Sequence, residues 1–300
     1  MERSVIALGG NAILGPGDRD QSAVVEATAE RVAGVVTAGH EVVLTHGNGP
    51  QVGNRILQQE AAPDTPQHSL DVLVAETQAQ IGYRLQNALD GELGGEHDFV
   101  TMVTQVVVDG EDPGFDDPTK PVGPYYTESE AREKDFPTKK VGTGDRAYRR
   151  VVASPEPLEL VESDDVAAMV ERGNHVVCAG GGGVPVVRDD GLCGVDAVVD
   201  KDRTSQLVAT DLDAETLVFL TDVEFAYRNY GTDDQTPVED VDAAAVRDLL
   251  DAGEFGEGTM RPKMEACARF VEAGGDRALV TTPENLDAAL DGETGTRVES

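Results

Sequence analysis

Three times along this chain a short run of Val, Ile, Leu and Ala breaks into glycine, at IALGGNA (6–12), LTHGNGPQVG (44–53) and VCAGGGGVPV (177–186). Continuous apolar runs of strand length suit strands buried on both faces, and such strands lie parallel and need helical crossovers. Other strand-sized runs are 4–8, 41–45, 99–108, 175–180, 216–221 and 277–281. Helix-period segments run through Val24, Ala27, Val32 and Val35 to Gly39, start again near Gln51, and span 69–89, 164–172, 203–211, 242–252, 263–273 and 284–290. The alternation predicts an α/β protein, an open three-layer α/β/α sandwich with a mostly parallel sheet.

The stretch from Asp109 to Pro157 breaks this rhythm, being dense in Asp, Pro, Gly and Tyr. A structureless connection of that length is uncommon in a compact domain. It reads as an irregular lobe or lid inserted into the α/β body, with few apolar residues to bury.

Each glycine turn follows a strand, where open α/β sheets bind ligands at their carboxyl ends. Backbone N–H groups beside a helix start hold phosphate oxygens, and a missing side chain lets the ligand approach. One such turn can be an ordinary tight turn, whereas three in one sheet point to a phosphorylated ligand. No G-x-x-x-x-G-K-[ST] is present, which excludes a Walker-type site. Gly47, Gly49 and Gly53 form G-x-G-x-x-x-G, one residue longer than the dinucleotide fingerprint, with Asp71 about 20 residues on. A nicotinamide-dependent oxidoreductase stays open on that spacing.

Charge narrows the partners. Lys plus Arg number 24 against 57 Asp plus Glu, a net charge of −33. A field of that sign repels nucleic acid and anionic membrane, and a salt-rich cytoplasm would screen it, so the chain reads as halophilic. Only six of the basic residues are lysine, at 120, 134, 139, 140, 201 and 263. A surface selected against lysine keeps one chiefly where an ammonium is needed. Lys201 stands between Asp200 and Asp202 at the start of a helix, and Lys120 between two prolines in DPTKPVG. Lys263 follows Pro262, read as the first residue of a helix, where a cation opposes the helix dipole unless a bound anion offsets it. Each of the three can equally be a solvated ion pair.

Cys178, Cys193 and Cys267 are far apart and read as free thiols of a reducing compartment. The five histidines lack metal-ligand spacing, and neither C-x-x-C nor G-x-S-x-G is present, so zinc hydrolysis, thiol redox chemistry and serine hydrolysis lose support. His46 reads as a packed support beside its glycine turn. There is no apolar run of membrane-spanning length and no basic segment ahead of an apolar one, so the expected place is the cytoplasm.

VIALGGNAIL (5–14), THGNGPQVG (45–53), DPTKPVGPYY (117–126), RRVVASPEP (149–157), AGGGGVPV (179–186), VDKDRTSQLVA (199–209), LTDVEFAY (220–227) and MRPKMEACARF (260–270) together resemble the carbamate kinases. They cover essentially the whole chain in that family's order. The resemblance implies the amino acid kinase fold as one domain over 1–300. An acceptor-binding lobe would occupy 1–160, including a protruding subdomain at 109–157, and a nucleotide-binding lobe 161–300. It implies reversible phosphoryl transfer between ATP and carbamate, used to make ATP in arginine fermentation, by a homodimer. Carried over by position, Gly9, Gly10 and Asn11 form one phosphate-contacting turn, and Gly47, Asn48 and Gly49 a second. Lys120, Lys201, Asp202 and Lys263 would be catalytic. Gly180, Gly181, Gly182, Gly183, Thr221, Asp222, Val223, Tyr227 and Met260 would border the nucleotide. Mg²⁺ would be held mainly by the nucleotide phosphates, without a protein ligand. Another phosphotransferase of the same fold is the alternative, against which DPTKPVG speaks. The chain departs from the family at SPEP (154–157), where relatives are more basic, and at Arg261, which could touch phosphate if it points inward.

Overall fold

The computed structural model describes residues 2–10, 13, 21–256 and 259–300. An eight-stranded sheet spans the molecule in the order Asp240–Asp242, Thr296–Glu299, Arg277–Thr281, Thr216–Leu220, Arg3–Leu8, Glu41–His46, His175–Val177, Phe99–Thr101. Neighbours run parallel except Arg277–Thr281 against Thr296–Glu299. Strand alternation sends Val5, Ala7, Val43, Leu217, Phe219 and Val280 to one face, and Ile6, Leu8, Val42, Leu44, Val218 and Leu279 to the other.

The first face is covered by the helices Ser163–Glu171, Lys201–Asp211, Ala243–Asp251 and Met260–Glu272. The second is covered by Gln21–Thr37 and Leu70–Leu93, through Val25, Val32 and Val36 and through Ile81, Leu85 and Leu89. Each fully buried Leu or Phe contributes about 1.5–3 kcal/mol. The sheet is therefore a stiff frame, and the two helices that carry Lys201 and Lys263 lie on the same side of it.

The apolar run 99–108 does not form one strand. Phe99–Thr101 stays on the main sheet, and Gln105–Val107 joins a smaller sheet with Glu159–Leu160, Val184–Arg188 and Leu192–Gly194. The break falls where Gln78 presents its side-chain amide to Thr104: Nε2 donates to the carbonyl and Oε1 accepts from the N–H, both at 3.0 Å. A buried side chain has taken the place of a neighbouring strand.

The lobe at 109–157 is also more regular than its composition implies. It holds a three-stranded antiparallel sheet, Lys120–Thr127, Arg146–Val152 and Thr138–Lys140, and the short helix Glu128–Arg132 with a Thr127/Glu130 capping box. Val122, Tyr126, Ala131, Ala147, Val151 and Val152 are buried, so the expectation of few buried apolar residues is corrected. Register shifts between Val122 and Thr127 interrupt the alternation that would have announced the strand. The lobe rests on the helix Gly49–Ala61, where the Tyr126 hydroxyl donates to Glu60 at 2.7 Å.

Two helix starts beside the lysines shift. Lys201, not residue 203, opens its helix, with Asp200 as N-cap. The last long helix begins at Met260, which makes Pro262 its third residue and not its first. Pro262 still lies in the first turn, where backbone N–H groups have no partner to lose.

With a net charge of −33, self-repulsion should weaken the fold in dilute buffer and screening should relieve it. Thermal melting is expected to shift steeply upward between low and molar KCl. A flat Tm across that range would make the acidic surface incidental to stability.

Candidate active site

The site is assembled around two aspartates at one helix start. Asp200 caps the helix Lys201–Asp211, its Oδ1 accepting from the Asp202 N–H at 2.9 Å. Its other oxygen accepts from Lys120 Nζ at 3.1 Å, which ties the lobe to this helix. Asp202 is buried, and each of its oxygens takes an ammonium: Lys201 Nζ on Oδ1, and Lys263 Nζ on Oδ2 at 3.0 Å. Lys263 also donates to the Thr259 carbonyl at 3.2 Å. Burial by itself would raise the Asp202 carboxyl, but Lys201 and Lys263 outweigh it and hold it below its ordinary value. Burial pushes the Lys201 ammonium down, with Asp202 opposing and Lys263 adding to the fall.

The glycine turns close round this cluster. Gly9 donates to Leu220 O at 3.0 Å, and a Cβ there would lie 2.6 Å from the same oxygen, so only glycine fits. A Cβ at Gly10 would meet nothing within 4 Å among the described residues. Asn11 lies outside the described residues. Gly47 donates to Leu8 O at 3.3 Å, joining the second turn to the first strand, and the Lys201 stem packs 3.5 Å from where a Gly47 Cβ would stand. Asn48 is buried and donates to Thr77 Oγ1 at 3.0 Å. His46 sits beneath, where burial lowers its ring to about 4 and Nδ1 lies 2.9 Å from Gly47 O, a neutral support.

A cavity of about 260 Å³ is lined by Gly47, Asn48, Gly49, Lys120, Arg149, Asp200, Lys201, Asp202 and Lys263, with Gly181 and Gly183. From the run Gly180–Gly183, Gly181 and Gly183 thus line the cavity beside the second turn, while Thr221, Asp222, Val223, Tyr227 and Met260 line another. Side chains are impossible along the run. A Cβ at Gly180 would meet the His46 ring at 2.5 Å, one at Gly181 the Asn48 amide at 2.1 Å, and Gly181–Gly183 all have positive φ.

A second pocket, of about 200 Å³, gathers Thr221, Asp222, Val223, Tyr227 and Met260, all five expected beside a nucleotide. It adds Tyr230, Glu254, Phe255, Gly256 and Thr259, which sequence reasoning missed because none stands beside a lysine or in a glycine turn that follows an apolar strand run. Thr259 and Met260 lead into the helix bearing Lys263, so the start of that helix contributes to the lining of both cavities. Arg149 was missed too. An argument from scarce lysines cannot find an arginine.

A sequence model of the amino acid kinase family matches residues 2–282. A carbamate kinase of Halobacterium salinarum is 52% identical, the alignment covering 99% of this chain and 98% of that protein. The chain belongs to the carbamate kinases of the amino acid kinase family. A carbamate kinase of Pyrococcus furiosus is 43% identical over 99% of both proteins. The solved structure of carbamate kinase from Giardia lamblia bound to AMP-PNP has a TM-score of 0.93 and 37% identity, covering 99% of this chain and 98% of that one.

The departures from the carbamate kinase pattern have structural answers. Arg261 donates to Leu250 O at 2.9 Å, closing the end of the helix Ala243–Asp251, and does not line the cavity of Lys201, Asp202 and Lys263. Glu156, in SPEP, accepts from Arg203 at 2.7 Å and from Arg269 at 3.4 Å, while Glu265 pairs with the same two arginines. This four-charge network braces the Lys201 and Lys263 helices against the segment that leaves the lobe.

Among the described residues no group of three His, Cys, Asp or Glu could hold a metal. Asp200 and Asp202 are both engaged by ammonium groups.

Proposed function

We propose that this cleft transfers a phosphoryl group reversibly between ATP and carbamate, ATP + carbamate ⇌ ADP + carbamoyl phosphate. The observation that carries the reading is Asp202, which holds Lys201 and Lys263 one to each oxygen in the cavity lined by the glycine turns. Phosphoryl transfer asks for in-line positioning and neutralised oxygen charge more than for proton removal. The Thr221–Tyr227 pocket would take the nucleoside, and its phosphates would pass the start of the Met260–Glu272 helix to Lys263 and Lys201. Carbamate would lie at Gly47–Gly49 with Lys120 closing from the lobe, and Asn11 would fix the transferring group. Carbamate is already an anion, so no general base is required. Mg²⁺, carried on the nucleotide phosphates, would add neutralising charge when bound.

In this reading the acceptor lobe is 1–160 and the nucleotide lobe 161–300, working in the cytoplasm to form ATP during arginine fermentation. Exposed Leu57, Tyr83 and Val103, on two neighbouring helices and after the edge strand Phe99–Thr101, support a homodimer.

ATP formation from ADP and carbamoyl phosphate with Mg²⁺, followed across KCl concentrations, tests the proposal. Turnover of that pair is expected, with no phosphorylation of acetylglutamate, aspartate or UMP from ATP. Equal activity on any of those three acceptors would replace carbamate by another amino acid kinase substrate.

A further inference from the structure

We infer that Arg149 is a further substrate-binding residue, whose guanidinium receives the planar carbamoyl or carbamate end while the lysines take the phosphoryl oxygens. The inference rests on the reaction proposed above and adds the group that recognises its acceptor.

Arg149 lies on the lobe strand Arg146–Val152 and lines the cavity together with Lys120 and Gly47–Gly49. Its stem is anchored, with Nε donating to Gly123 O at 3.0 Å and the guanidinium carbon 5.1 Å from the centre of the Tyr125 ring. Both terminal nitrogens are left over, and among the described residues no carboxylate pairs with them. Its strand neighbours behave differently: Arg146 pairs with Glu130 and Arg150 with Asp196. In a chain with 57 acidic residues, an arginine held in a cleft without an acidic partner is placed for an anion that arrives.

The charge of the acceptor points the same way. Lys120, Lys201 and Lys263 face Asp200 and Asp202, and in the proposed reaction the lysines take phosphoryl oxygens. Carbamate brings a negative charge of its own, spread over its planar O–C–O group. Arg149 is the cavity-lining cation left to meet it. Geometry assigns it the carbamoyl end, because a guanidinium is a flat fork that matches planar O–C–O, whereas an ammonium is a point charge suited to tetrahedral phosphoryl oxygens.

Steady-state kinetics and calorimetric binding of carbamoyl phosphate without nucleotide test this in Arg149→Lys, Arg149→Met and Arg149→Ala. Losing charge-assisted hydrogen bonds should raise KM and Kd for carbamoyl phosphate about 10- to 100-fold, with KM for ADP nearly unchanged. Arg149→Lys keeps the stem and the charge, so a similar loss there, with Tm preserved, points to the fork. Guanidinium ion added to Arg149→Ala should recover part of the affinity. Wild-type affinity in Arg149→Met would overturn the subsite, and full affinity in Arg149→Lys would overturn planar recognition. A wild-type protein that binds carbamoyl phosphate but does not transfer it would refute the reaction alone, while the binding comparison would still decide the role of Arg149.

Discussion

Lys201→Ala and Lys263→Ala are each expected to lower kcat at least about 10²-fold, the loss that follows removal of one oxyanion contact. Both ammonium groups are oriented by Asp202 before any ligand arrives, and Lys201 is further held by its stem against Gly47. Charge fixed in advance acts where oxygen charge shifts during transfer, so nucleotide affinity should change far less than turnover. In either variant Asp202 keeps the other lysine, and the fold should therefore survive. Initial rates at saturating ADP and carbamoyl phosphate, with nucleotide affinity measured separately, check this. A kcat within about threefold of wild type would return that lysine to a structural ion pair.

Asp202→Asn should be the more damaging change to the fold. It leaves two ammonium groups side by side without their anion, and breaking a buried pair in this way costs about 3–5 kcal/mol. Tm should fall by something on the order of 10 °C, and activity should go with it. The pH dependence has a definite sign. The folded Asp202 pKa lies below its ordinary 3.8, so the carboxylate contributes stability at all pH values above that and loses it as pH falls through the lower folded value. Urea unfolding from neutral to acid pH should show that loss in the wild type and less of it in Asp202→Asn. An unfolding free energy within about 1 kcal/mol of wild type at neutral pH would mean that Asp202 does not organise the lysines.

The main sheet was readable because its strands are buried on both faces. Residues 4–8, 41–45, 216–221 and 277–281 are continuous apolar runs, and the strands fall on them almost residue for residue. The same criterion misread 99–108, since the break there is imposed by Gln78, remote in sequence and silent in any local pattern. In the lobe, Pro121, Gly123 and Pro124 hid a strand whose partner is some 25 residues on. At the site, Lys120, Lys201 and Lys263 were noticed because lysine is scarce, and the structure brings all three to one cavity. The run Gly180–Gly183 was noticed as a turn, but which cavity it serves depends on His46 and Asn48, which meet it only in three dimensions.

The ion pair between Lys120 and Asp200, together with the two lysines on Asp202, gives the cleft its own resident counter-anions. In the proposed reaction phosphoryl oxygens would join the carboxylates on the remaining N–H donors of these ammonium groups, and would not fill a bare positive well. A bare well in molar salt would fill with chloride. Carboxylates attached to the chain are present at an effective concentration that no dissolved anion matches. On that reading the aspartates would keep the lysines oriented for a multivalent phosphoryl group while denying them to dissolved monovalent anions.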